Sequence, residues 1–214
     1  MESDKTIGTS LDSLYTASKK TLAYYDTMAQ AFTQDTRDAK MGPLQEKFLA
    51  LLPAGGRILD FGCGTGRDTR LFLKAGFHVD ALDGSSALCK AATLYTGIPV
   101  KHMLFQDFHA INHYDGIWAC ASLLHLPPME LSPVLHHLAE ALHDNGILYL
   151  SFKYGNFSGF RHGRYFTDFT EASILPYLKF WTGEILNCWK SHDVRPERSK
   201  EIWLNLLLKK QAIK

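Results

Sequence analysis

From Arg57 onward, short apolar runs alternate with stretches whose apolar residues recur at helical intervals. The runs at 57–61, 78–82, 100–105, 116–121 and 147–152 read as strands, and the periodic stretches at 67–75, 86–95 and 130–143 read as helices. Strand and helix alternating at this spacing predict a parallel sheet with helices on both faces, joined by right-handed crossovers. Upstream, residues 1–15 are polar and aperiodic, while Leu22, Tyr25, Met28, Ala29 and Phe32 mark a helix over 14–32. A second helix opens at Pro43, a favourable first-turn proline, and runs to the breaker Pro53-Ala54-Gly55-Gly56. Downstream, a helix is predicted over 168–179. Two runs rich in β-branched and aromatic residues, 184–193 and 202–210, then flank Arg195-Pro196-Glu197-Arg198 and suit a final antiparallel hairpin. The chain thus divides into an N-terminal helical extension, 1–56, and a core, 57–214.

Composition narrows the function classes. The chain has 214 residues, 46% of them hydrophobic, enough for one domain with a sizeable core. Its 23 basic and 22 acidic residues nearly cancel, so no whole-chain field draws it to nucleic acid or an anionic membrane. Cys63, Cys89, Cys120 and Cys188 are scattered, without the pairing expected of a zinc site, and fit free thiols in a reducing compartment. No metal is expected. With no stretch approaching the roughly 20 apolar residues of a membrane span, the expected location is the cytoplasm.

The chemistry gathers where Ile58-Leu59-Asp60-Phe61 runs into Gly62-Cys63-Gly64-Thr65-Gly66. Glycine permits positive φ and removes the Cβ that would hold a ligand off the backbone, so the choice lies between a tight turn and a nucleotide site at a strand-to-helix switch. Dinucleotide folds carry G-x-G-x-x-G, but the third glycine of that pattern is replaced here by Arg67, which counts against a nicotinamide oxidoreductase. Asp60 would repel a diphosphate yet could accept hydrogen bonds relayed from an ammonium group, so a cationic amino-acid ligand fits better.

With these residues the sequence resembles the class I S-adenosylmethionine-dependent methyltransferases, especially small bacterial ones, from about Tyr24 to Lys210. Asp60-Phe61-Gly62-Cys63-Gly64-Thr65-Gly66 matches that family's first motif without departure. Asp83, followed by Gly84 and Ser85, matches the acidic residue that receives the ribose hydroxyls, and Gln106-Asp107-Phe108 matches the acidic position near adenine. The segment Asp115 to His125, which includes Ala121, looks like the motif where the fourth strand ends beneath the reactive methyl. The resemblance implies a Rossmann-like α/β fold with a seven-stranded, mostly parallel sheet whose last strand is antiparallel. It implies S-adenosylmethionine as the cofactor.

Two aromatic groups have a functional and a structural reading. Tyr24 and Tyr25 resemble a paired-tyrosine element that caps the methionine end of the cofactor, or else pack the first helix. His125 stands where an imidazole could accept a substrate proton, or else is structural. No base is needed if the acceptor is already an anion, because alignment and desolvation suffice. The absence of Asn-Pro-Pro-Tyr, of a Pro-Cys nucleophile and of a basic recognition domain favours a small-molecule acceptor over DNA. Lys153, Arg164 and Tyr165 after the fifth strand, in a glycine-bearing segment suited to a lid, should rim the pocket. Arg195 and Arg198 belong at the same sheet edge, so the acceptor is expected to carry an anionic group, unless those arginines only brace the loops. A cofactor-binding module without turnover, and methylation of RNA or protein, are the competing functions.

Overall fold

The computed structural model describes residues 11–212, with side chains for residues 17–212. Of the stretch expected as a polar tail, residues 1–10 lie outside the described residues, while the remainder opens the first helix. Among the described residues the strands are β1 (Arg57–Phe61), β2 (His78–Asp83), β3 (Val100–His102), β4 (Tyr114–Ala119), β5 (Leu142–Lys153), β6 (Ser158–Arg161), β7 (Arg164–Thr167), β8 (Gly183–His192) and β9 (Ile202–Lys210). Seven of them form one sheet in the order β3-β2-β1-β4-β5-β9-β8, with β6 and β7 paired separately. Strands β1 to β5 pair in parallel, and β9 runs antiparallel to both β5 and β8. The α-helices are α1 (Leu11–Thr36), α2 (Gly42–Leu49), α3 (Arg67–Lys74), α4 (Ser86–Thr96), α5 (Pro128–Ala141) and α6 (Glu171–Ile174).

Alternation along the strands splits the core between the two sheet faces, because successive side chains of a strand point opposite ways. Leu59, Phe61, Ile117, Ala119, Leu148 and Leu150 join one cluster with Leu131, Leu135 and Leu138 of α5. Ile58, Trp118, Ile147 and Tyr149 join another with Phe48 of α2 and Phe72 of α3. Burial on both faces explains why the central strands are apolar at consecutive positions. Trp118 is fully buried, stacks on Tyr149 at 3.9 Å, and donates its indole N–H to Asp68 Oδ2 at 2.8 Å.

Three sequence-based expectations are corrected. The third strand stops at His102, because Met103 N still bonds Asp83 O but the chain then turns through a 3-10 segment, Phe105–Asp107, that stacks Phe105 on Phe61 at 4.5 Å. The helix expected over 168–179 reduces to α6, capped by Thr170 and Ser173, and a 3-10 turn, Leu175–Leu178. Residues 168 and 169 are held in extended pairing by Phe157 O and Lys153 O, and Pro176 offers no N–H to a longer α-helix. The segment expected as a glycine-bearing lid is instead the β6–β7 hairpin. Its two-residue turn has positive φ at both His162 (48°) and Gly163 (80°), the combination that matches strand twist in a tight hairpin.

Helix α1 and this hairpin roof the carboxyl edge of the sheet. Thr21 Oγ1 accepts from Tyr165 N at 2.9 Å, Asp26 accepts from Ser85 Oγ at 2.6 Å, and Asp35 pairs with Arg195 at 2.9 Å. Among the described residues no helix is long and apolar enough to cross a membrane.

Candidate active site

The turn after β1 has positive φ at Gly62 (84°), Gly64 (55°) and Gly66 (79°), for different physical reasons. A Cβ at Gly62 would stand 2.4 Å from Ser122 Cβ, and one at Gly66 would stand 2.6 Å from Thr96 Cγ2. These two glycines let the β4 loop and α4 close on the turn. At Gly64 the nearest atom is Phe32 Cε1 at 3.4 Å, and the residue lines a cavity of about 710 Å³. Of the three, Gly64 is the one with room where a Cβ would stand.

Asp60 lies buried beneath the turn and accepts from Thr69 Oγ1 at 2.5 Å. Burial and the neighbouring Asp68 push its carboxyl up to about 8. Asp68 is held below the usual range despite its burial, because Arg67, Trp118 and Gln45 all donate to it. Asp83 accepts from Gly64 N at 2.9 Å and Ser85 N at 2.8 Å, which joins the end of β2 to the glycine turn. Burial raises its pKa against the pull of those amides.

The cavity gathers Tyr25, His125, Ala121, Lys153, Arg164, Arg195 and Arg198, which the sequence distributes over more than 170 positions. Most of its cations are already neutralised. Arg67 pairs with Asp68, Lys153 with Glu201, Arg161 with Asp168, Arg195 with Asp193 and Asp35, and Arg198 with Asp35. Among the described residues, Arg164 is the cavity-lining Lys or Arg without an ion pair, and its Nε is buried with no hydrogen-bond partner. Its guanidinium lies over the rings of Tyr24 (4.7 Å) and Phe166 (5.1 Å), and Nη1 donates to Tyr25 Oη at 3.2 Å.

His125 is held at both nitrogens. Nδ1 stands 2.7 Å from the Tyr165 carbonyl oxygen and Nε2 2.7 Å from Tyr25 Oη. A carbonyl accepts only, so Nδ1 carries the proton and Tyr25 donates to Nε2. Burial, reinforced by Arg164 and Arg161, lowers the imidazole pKa to about 3. Burial raises that of Tyr25 even against Arg164.

The profile of the family described as Methyltransferase domain matches residues 33–173, well over half of the chain. The chain belongs to this methyltransferase-domain family. It is 26% identical over 130 residues, 61% of the chain, to an uncharacterized methyltransferase of Staphylococcus carnosus. It is 28% identical over 120 residues, 52% of the chain, to a ubiquinone biosynthesis O-methyltransferase of Xanthomonas axonopodis pv. citri. The matches span 63% and 49% of those relatives' own lengths. The fold is that of Burkholderia thailandensis 1,6-didemethyltoxoflavin-N1-methyltransferase, solved with 1,6-didemethyltoxoflavin and S-adenosylhomocysteine. Its TM-score is 0.75, at 20% identity and with 98% of this chain and 94% of that one covered.

Of the expected site residues, Asp60, Gly66, Asp83, Gly84, Ser85, Asp107, Phe108 and Tyr165 stand outside the cavity lining. Ser85 is buried and caps α4 by accepting from Leu88 N at 3.2 Å, while Leu22 of α1 lies against Gly84, 2.7 Å from where a Cβ would be. Phe108 is buried in the core against Phe61, and Asp107 ends the 3-10 segment beside it. Tyr165 turns its hydroxyl to Ser158 at 2.9 Å and contributes only its backbone to His125. Two site features escaped sequence reading. The His162-Gly163 turn between Arg161 and Arg164 carried a hairpin signal in its glycine and flanking aromatics. Asp35, 160 positions from Arg195, carried none.

Proposed function

We propose that this chain transfers a methyl group from S-adenosylmethionine to a small acceptor bearing an anionic group, and that Arg164 receives that group. The observation that carries the reading is that Arg164 lines the cavity without an ion pair, its Nη1 donating to the neutral hydroxyl of Tyr25. A cavity-lining guanidinium with no counterion suits a carboxylate or similar anion, which it can hold bidentately. The paired state of Lys153, Arg195 and Arg198 supports a bracing role at the cavity rim rather than contact with the acceptor.

The residues present fit the cofactor, which supplies an electrophilic methyl on a sulfonium. Gly64 leaves backbone open to the cavity where a side chain would intrude. The Asp83 carboxylate keeps lone pairs free for ribose hydroxyls beyond the two amides it accepts from, and Asp107 is assigned to the adenine side. Ala121 lines the cavity at the amino-acid end, while Asp60, buried beneath the turn, braces it through Thr69. The small acceptor is supported by the structural neighbour, whose bound 1,6-didemethyltoxoflavin is itself a small molecule.

Turnover of labelled S-adenosylmethionine with a panel of anionic and neutral small molecules tests the proposal and separates an enzyme from a module that only binds cofactor. Arg164→Ala is expected to raise KM for the best anionic acceptor by about 10- to 100-fold, the equivalent of one hydrogen-bonded charge contact. Arg195→Ala should leave that KM near wild type. Preference for neutral acceptors, or an unchanged KM in Arg164→Ala that still binds cofactor, refutes it, and label appearing in RNA or protein redirects it.

A further inference from the structure

The hydrogen bonds around His125 form a one-way chain. Arg164 Nη1 donates to Tyr25 Oη (3.2 Å), Tyr25 donates to His125 Nε2 (2.7 Å), and His125 Nδ1 donates to the carbonyl of Tyr165 (2.7 Å). Every proton points the same way and the chain ends on a backbone oxygen, which cannot take one. A proton passed from an acceptor to Tyr25 would therefore have to remain on His125 as an imidazolium. The groups facing that ring oppose this. Arg164 of β7 and Arg161 of β6 are cationic, Phe166 packs edge-on at 4.8 Å, and Tyr25 of α1 offers only its hydroxyl. Facing Tyr25 in turn are Arg164, Tyr24 and, through the field, Asp83. The carboxylates that line the cavity, Asp35, Asp68, Asp168, Asp193 and Glu201, are each already tied to an arginine or lysine, so each is turned to its own ion pair and away from an acceptor.

Resting on the reading of Arg164 given above, we infer that the acceptor is methylated as an anion formed before the reaction, with Tyr25 and His125 acting as positioning residues and not as a base. The acceptor's lone pair forms the bond to the methyl carbon while the carbon–sulfur bond breaks and its electron pair stays on sulfur. No proton moves, and the sulfonium and the anion become two uncharged centres. His125, fixed at both nitrogens, holds the Tyr25 hydroxyl, which accepts from Arg164 and keeps the guanidinium turned to the cavity. Methylation at the charged atom removes the counterion of Arg164, so the product binds less tightly than the acceptor and leaves.

Imidazole nitrogen NMR on protein labelled with 15N-histidine and loaded with S-adenosylhomocysteine decides this without any acceptor, His125→Asn identifying the signals by their loss. The neutral ring with its proton on Nδ1 is expected throughout about pH 5 to 9, although an ordinary histidine titrates inside that window. An imidazolium forming with a midpoint in that range overturns the inference. A kinetic arm uses ring-substituted thiophenols of graded acidity. The acid limb of kcat/KM should follow each thiophenol's own pKa, one pH unit per unit, and Tyr25→Phe should lower kcat/KM without moving it. A limb fixed at one pH for the whole series and abolished in His125→Asn also overturns it. If no thiophenol is turned over while cofactor binds, the acceptor reading is what suffers, and the imidazole signal still decides the role of His125.

Discussion

Alanine substitution along the glycine turn should separate two tasks that share one motif. At Gly64 (φ 55°), the methyl added by Gly64→Ala meets nothing closer than Phe32 Cε1 at 3.4 Å, so the loss of stability is confined to left-handed backbone strain, about 1 to 2 kcal/mol. At Gly62 (φ 84°) the same strain is joined by a carbon placed 2.4 Å from Ser122 Cβ and 2.9 Å from Phe105 Cζ. Carbon atoms settle at about 3.5 to 4.0 Å. Ser122 is buried and Phe105 is stacked on Phe61, so neither yields freely, and overpacking adds about 1 to 3 kcal/mol. Gly62→Ala should therefore lose about 2 to 5 kcal/mol in all, with melting temperature falling by about 2 to 4 °C per kcal/mol in a chain of this size. Denaturant unfolding measures the first quantity, and calorimetry with S-adenosylhomocysteine measures the second task. Gly64→Ala should stay folded yet bind at least about tenfold more weakly, equivalent to 1.4 kcal/mol, because its Cβ enters the ligand space. The reasoning is refuted if Gly64→Ala binds like wild type, or if it is destabilised as much as Gly62→Ala.

Two further outcomes follow from hydrogen bonds and charge. Asp83→Ala should weaken cofactor binding by about 1 to 3 kcal/mol and also lower stability, since Gly64 N and Ser85 N lose their acceptor; unchanged affinity by calorimetry in a folded variant would remove Asp83 from the ribose site. Despite its burial, Asp193 is held at about 2, chiefly by hydrogen bonds from Arg195. Its folded pKa lies below the unfolded value, so its contribution is full above about pH 4 and is lost as pH falls toward 2. Denaturation between those values should show an acid decline that Arg195→Ala flattens; an equally steep decline in the variant would assign it to other carboxylates.

The motif residues were legible because their signals are local. A strand that ends in Asp60-Phe61-Gly62-Cys63-Gly64, an acidic residue some twenty positions later, and the alternation of strand and helix each depend on a short window of sequence. The physical constraint behind them acts within that window too, through backbone φ, strand periodicity and helix capping. The hairpin β6–β7 was also locally encoded, in Arg161-His162-Gly163-Arg164, although its glycines read equally well as flexibility. Element ends were less legible, as at Phe105, because stacking on Phe61 decides where β3 stops.

Charge pairing divides the two levels most sharply. The sequence by itself determined the fold class, the glycine turn and the presence of five basic residues, Lys153, Arg161, Arg164, Arg195 and Arg198, in segments destined for one sheet edge. Only the tertiary structure decided which of them meets a carboxylate: Arg195 finds Asp35 on α1 across 160 positions, Arg161 finds Asp168, and Arg164 finds the rings of Tyr24 and Phe166. Residue type fixes a side chain's charge, but the Coulomb energy of a pair depends on separation and dielectric. Both are set where the chain crosses itself, so partners distant in sequence are invisible until the fold brings them together.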